Sequence, residues 1–134
     1  MAVKIVVADS ARLPPDVEFP PLDALKYGWE EYPSLTGREL VERCWRAEIV
    51  VLLSPNIEID SSMMEQMQRL QLLITVGDAV GQLDQAAARD QGVELLAFPE
   101  PLGSDSPAAQ ELCNRIAQAI DYYLRGIDGR RSLS

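Results

Sequence analysis

Leu72 to Pro99 reads LLITVGDAVGQLDQAAARDQGVELLAFP. An apolar run, Leu72-Leu73-Ile74-Thr75-Val76, breaks at Gly77. An Ala-rich helix over Leu83 to Gln91 follows and stops at Gly92, and a second apolar run ends at Pro99. Strand, loop, helix, strand is the unit that builds parallel sheets. The loop from Gly77 to Gln82 therefore leaves the carboxyl end of a strand, where open α/β sheets bind ligands. Gly77, Asp78, Ala79, Val80 and Gly81 are the candidate ligand-binding residues.

The same alternation extends to both sides. Val3 to Ala8 is a β-branched run that predicts a buried first strand. Arg12 to Pro21 holds Pro14-Pro15 and Pro20-Pro21 and reads as an irregular connection. Leu22 to Lys26 can form a brief helix, and Trp29 to Tyr32 a short, charged second strand at a sheet edge. Thr36 and Glu39 have capping-box spacing ahead of a helix that reaches about Arg46. Leu40, Val41, Cys44 and Trp45 recur there at helical spacing, so Trp45 is expected to face the core rather than serve as a stacking platform. Glu48 to Leu53 is an apolar third strand. Asp60 or Ser61 caps a helix reaching about Leu70, whose stripe of Met63, Met64, Met67 and Leu70 reads as core. Ser106-Pro107 opens the last helix, with serine as cap and proline at the first helical position. Gly126 is placed to end it. Ala109, Leu112, Cys113, Ile116, Ile120, Tyr123 and Leu124 line one face of that helix.

The expected architecture is an α/β, flavodoxin-like, doubly wound sheet of five parallel strands in order 2-1-3-4-5, with a long C-terminal helix. Residues 1–126 form one domain, and 127–134 a flexible tail.

Composition narrows the function. A net charge of −9 argues against a nucleic-acid partner, because phosphate binding needs clustered Lys and Arg. No apolar run reaches the length of a membrane span, and MAVKIVVADS lacks the charged and apolar regions of a signal peptide, so the expectation is a cytoplasmic protein. Cys44 and Cys113 fall on apolar helical stripes and read as reduced, buried thiols. The sequence has no histidine, which removes Ser-His and Cys-His nucleophile pairs and histidine metal sites. Two distant cysteines make no zinc site.

Other chemistries of this architecture lack their residues. A phosphoacceptor domain needs an acidic cluster after strand one, an aspartate ending strand three and a lysine ending strand five; here Asp9 stands alone, and the other two strands end at Leu53-Ser54-Pro55 and Phe98-Pro99. Asp9-Ser10-Ala11-Arg12-Leu13-Pro14 has no glycine with which to wrap a phosphate. Gly77-Asp78-Ala79-Val80-Gly81 is not a G-x-G-x-x-G fingerprint. Asp84 reads as a helix cap.

Val80 to Val93 resembles the loop-helix segment of the D-2-hydroxyacid dehydrogenases, typified by phosphoglycerate dehydrogenase. Leu83-Asp84, Ala86-Ala87 and Gly92-Val93 fall in register with that family's pattern. Pro99 matches the proline of its N-x-P, and Ser106 and Ala108 its S-V-A helix start with one inserted residue. Leu70-Gln71-Leu72-Leu73-Ile74 is similar to its L-K-L-I strand entry. The resemblance spans about Val3 to Leu124 and implies the substrate-binding domain of these enzymes. It also implies that a nucleotide-binding domain should follow the last helix, carrying the catalytic arginine, glutamate and histidine; this sequence stops there. The family's loop glycine is replaced by Ala79, with Gly77 left to substitute for it, and its asparagine by Ala97.

The resemblance thus implies a stand-alone module with no catalytic residues, no cofactor and no metal of its own. Such a module would bind a small carboxylate or a protein partner. The alternative is a subunit or fragment of an NAD-dependent D-2-hydroxyacid dehydrogenase completed by a separate cofactor domain. The apolar face of the last helix needs cover, from its own sheet, from a second copy or from both, and a homodimer through that helix is expected; where both cover it, Leu112 and Ile116 face inward and Tyr123 and Leu124 meet the second copy.

Overall fold

The computed structural model describes residues 3–22, 27–54, 57–77, 84–103 and 105–132, with backbone alone over 127–132. Five strands form one parallel sheet: β1 (Val3–Val7), β2 (Tyr27–Glu31), β3 (Ile49–Leu52), β4 (Leu72–Val76) and β5 (Glu94–Phe98). Their order is β2-β1-β3-β4-β5, as the alternation of runs predicts. The three inner strands are apolar at almost every position because both of their faces are covered.

Strand order reverses after β2, and right-handed crossovers then place the connections on opposite faces. The helices α1 (Gly37–Cys44), α2 (Ser61–Gln66) and α3 (Gln85–Gln91) share one face, where Leu40, Cys44, Met64, Met67 and Ala88 close on Val6, Val50 and Leu73. The last helix, α4 (Ser106–Ser132), lies on the other face. Its Leu112, Ile116, Ile120 and Leu124 pack on Ile5, Val7, Ile49, Val51 and Ile74. Beside α4 runs the proline-rich connection after β1. It is tied down by Phe19 against Trp29 (ring centroids 5.2 Å apart), by Ser106 Oγ donating to Asp16 Oδ1 at 2.7 Å, and by Gln110 Nε2 donating to the Glu18 carbonyl at 2.8 Å.

Asp60 caps α2 through the Met63 amide and Asp84 caps α3 through the Ala87 amide, each at 2.9 Å. Gly92 ends α3 at φ +76°, a left-handed conformation that a residue with a Cβ rarely adopts.

Four local expectations are corrected. Thr36 holds the N-cap position of α1, but its hydroxyl makes no capping bond, so the capping box is not formed. Trp45 is 51% exposed, with the Arg46 guanidinium 4.3 Å from its ring centroid; α1 has already ended at Cys44, so helical periodicity no longer sets its direction. Ser106 is inside α4 rather than its cap: the Ala109 amide closes the first turn on the Asp105 carbonyl, and the Ser106 hydroxyl is spent on Asp16. Gly126 does not stop α4, which continues to Ser132. A glycine ends a helix through positive φ, and among the described residues only Gly37, Gly77 and Gly92 have it. Residues 23–26, where a brief helix is expected, lie outside the described residues.

Candidate functional site

The carboxyl ends of β1, β3, β4 and β5 surround a cleft of about 270 Å³. Arg12 reaches it from the turn after β1, Leu53 and Ser54 from the end of β3, Val76 and Gly77 from the end of β4, and Pro99, Pro101 and Leu102 from the segment after β5. It opens where the connections part to opposite faces of the sheet, between β1 and β3, the switch point at which open α/β sheets take their ligands.

Of the five candidate residues, Gly77 lies on this cleft, while Asp78, Ala79, Val80 and Gly81 lie outside the described residues. Gly77 has φ +70°, and a Cβ built on it would stand 3.5 Å from the Pro101 Cα. That is ordinary contact, so the requirement for glycine comes from the backbone conformation rather than from crowding. The β4 end and the segment after β5 meet there and form one wall.

Arg12 was not singled out by its sequence. It ends a single 3-10 turn, Ser10–Arg12, anchored by the Ser10 amide on the Tyr32 carbonyl at 2.9 Å. Its side chain is exposed, and among the described residues no acceptor engages its guanidinium. The available signal was its place: a cation immediately after the first strand of an acidic chain.

Next to Leu53, one of the residues lining the cleft, Asp9 is 3% exposed. Its Oδ1 accepts from the Leu53 amide at 2.8 Å, and its Oδ2 has no hydrogen-bond partner among the described residues. Burial pushes the Asp9 carboxyl above its ordinary 3.8, against the opposing pull of the Leu53 and Ser54 amides and of the Arg12 charge. Asp9 therefore links the segment after β1 to the end of β3, whose Leu53 lines the cleft.

The two thiols lie elsewhere. Cys44 and Cys113 are free and buried, and burial raises them to about 12 and about 11 respectively. Neither is a nucleophile at neutral pH, because the thiolate is the reactive form. Among the described residues no three Cys, Asp or Glu side chains converge to hold a metal ion, and no helix is long and apolar enough to cross a membrane.

No family model matches the chain. Over 93 residues it is 25% identical to the "Putative 2-hydroxyacid dehydrogenase" of Haemophilus influenzae, a match covering 69% of this chain and 29% of that protein. Two solved structures share the fold. The apo-structure of D-lactate dehydrogenase from Escherichia coli aligns with a TM-score of 0.54 at 12% identity, covering 72% of this chain and 31% of that one. The pyruvate reductase of Chlamydomonas reinhardtii aligns with a TM-score of 0.55 at 11% identity, covering 73% and 29%. The chain thus spans about 30% of the length of the proteins it matches. They bear out its resemblance to one domain of the D-2-hydroxyacid dehydrogenases.

Proposed function

We propose that this domain binds a small carboxylate in the cleft at the carboxyl ends of its strands and performs no chemistry by itself. The observation that carries the reading is Arg12: a guanidinium at the switch point with no hydrogen-bonded acceptor among the described residues, in a chain with a net charge of −9. A guanidinium matches a carboxylate in geometry and holds it through two parallel N–H donors. Ser54 adds a hydroxyl, and Leu53, Val76 and Leu102 supply the apolar wall against which a short carbon chain rests. At about 270 Å³ the cleft is below the size of drug-sized sites, roughly 300–1,000 Å³, and suits a molecule of few heavy atoms.

The dehydrogenase named among the similar proteins makes 2-hydroxy and 2-keto acids the first ligands to try. The second reading, a part of a dehydrogenase completed by a cofactor domain on another chain, draws support from the 29% share of the similar protein that the chain spans.

Calorimetric titration with a panel of short 2-hydroxy and 2-keto acids tests the binding. At least one acid should bind saturably, and Arg12→Ala should weaken it by about tenfold or more, as expected for a charge-assisted pair lost from a partly exposed site. Arg12 is exposed and its charge acts on the Asp9 carboxyl from the surface, so the variant should fold with at most a small shift in melting temperature. Equal affinity in the two proteins, or no binding at millimolar acid, overturns the assignment.

A further inference from the structure

The sheet has two edges, and they differ. On β2, Glu30 and Glu31 are charged and Lys4 pairs with Glu30 at 3.1 Å, features that discourage a further strand. On β5, four of five residues are apolar, Ala97 is exposed, and Leu95, Leu96 and Phe98 are only partly covered. Among the described residues no element pairs with the outer edge of β5. Above this strand, Leu96, Phe98, Ala119, Tyr122 and Tyr123 border an open apolar groove of about 570 Å³, and Tyr122 is 80% exposed.

Which backbone groups point outward follows from the pairing with β4. Glu94 is in register with Leu72, and its amide donates to the Gln71 carbonyl at 2.9 Å. In a parallel ladder alternate residues bond the same neighbour. Glu94, Leu96 and Phe98 therefore turn their amides and carbonyls toward β4, and Leu95 and Ala97 turn theirs outward. Their side chains alternate likewise. Glu94, Leu96 and Phe98 share the α4 side of the sheet, and Leu95 packs on the opposite side.

We propose that the β5 edge, with the groove between it and α4, is a two-fold interface to a second copy of this chain, paired antiparallel about Leu96. In that register Leu95 of each copy faces Ala97 of the other, the only two residues of β5 with free outward amides and carbonyls, so four backbone hydrogen bonds form and none is wasted. Leu96 meets its own equivalent on the axis. Glu94 falls opposite Phe98 of the second copy, in a pair without hydrogen bonds, where side chains approach to about 4.5–5.5 Å at Cβ.

Charge selects this register. The Arg115 guanidinium carbon lies 5.8 Å from the Phe98 ring centroid. Its Nη2 is taken by Glu100 at 2.7 Å, and its Nε has no acceptor among the described residues. Glu94 arriving opposite Phe98 thus meets the positive charge of Arg115, twice by symmetry. A pairing centred on Glu94 itself would oppose two carboxylates, which is destabilising. The two grooves then face each other across the axis and cover Tyr122. A closed two-fold pairing of this kind leaves the β2 edges outermost, where their charges stop further addition.

Sedimentation equilibrium of the full chain at micromolar concentration should give twice the 14.8 kDa chain mass. Ala97→Pro removes an outward amide that the single chain does not use, a position at which an edge strand tolerates proline; it should yield a monomer with an unchanged far-ultraviolet spectrum. Glu94→Lys should weaken dimerisation by about tenfold, and adding Arg115→Glu should restore it, as charge reversal across a real pair does. If Ala97→Pro fails to fold, the charge-reversal pair decides alone. A monomer at every concentration overturns the proposal. So does a dimer whose dissociation constant is unmoved by Glu94→Lys, because its interface is then elsewhere.

Discussion

Asp9 shows how one residue ties fold to site. It follows the first strand and accepts the Leu53 amide, and burial pushes its carboxyl above the ordinary 3.8. The sign of its effect on stability follows from proton counting. Below pH 3.8 both folded and unfolded states carry the proton, and Asp9 contributes no pH dependence. Between 3.8 and the raised native value the folded state binds more protons, so stability falls as pH rises, and above that value the loss is complete and constant. Each unit of displacement corresponds to about 1.4 kcal/mol. Asp9→Asn keeps an acceptor for Leu53 and cannot ionise. Its stability relative to the unmodified protein should therefore rise with pH through this window, as read by urea denaturation from acid to neutral pH. Parallel curves for the two proteins would show that Asp9 titrates normally. None of this was legible in the sequence, where Asp9 stands as a lone carboxylate. Leu53, which makes it a buried acceptor, is 44 residues away. The same holds for Arg12, whose neighbours in the cleft come from the ends of β3, β4 and β5. By contrast the cap made by Asp84 and the stop made by Gly92 were legible, because their partners lie within a few residues.

At the scale of elements, α4 reconciles two expectations. Its stripe needs cover by its own sheet, a second copy or both, and Leu112, Ile116, Ile120 and Leu124 are all buried on its own sheet. Leu124, expected to meet a partner, is 2% exposed and belongs to the inner seam, whereas Tyr122 is turned to solvent. The period of the stripe identified the buried face, but a period alone does not say how far along the helix the sheet extends. Ile116→Asp puts an unpaired charge at a fully buried position and should cost about 3–5 kcal/mol or more. Leu124→Asp should likewise lower the melting temperature rather than merely separate copies. Thermal melts followed by circular dichroism at two protein concentrations check this. A Leu124→Asp protein that melts like the unmodified one would place that residue outside the core. Strand positions were legible to within one or two residues because apolar runs of four or five are hard to hide. Trp45 was misplaced because the helix that set its phase ended one residue earlier.

For the whole molecule, the order of strands and the reversal after β2 put the cleft at a predictable place, and only its furnishing needed the structure. The expectation of no turnover belongs at this scale, because it concerns these 134 residues together. With NAD(H) and 2-keto acids the purified protein should show neither NADH oxidation nor a cofactor-dependent shift in melting temperature; saturable oxidation by this chain alone would defeat the reading. The two faces of the sheet also close at different times. The helices α1, α2 and α3 each follow a strand and cover it as the chain lengthens. The opposite face, with Val3, Ile5 and Val7 on its first strand, depends on α4, which follows all five strands. A growing polypeptide carries that apolar surface only partly covered, by Leu13, Phe19 and Leu22, until about residue 124 has emerged, and contacts separated by more than a hundred residues are the slow ones to form. The exposed interval between synthesis of β1 and arrival of α4 is thus where this protein is most open to a chaperone, a protease or a misplaced second strand.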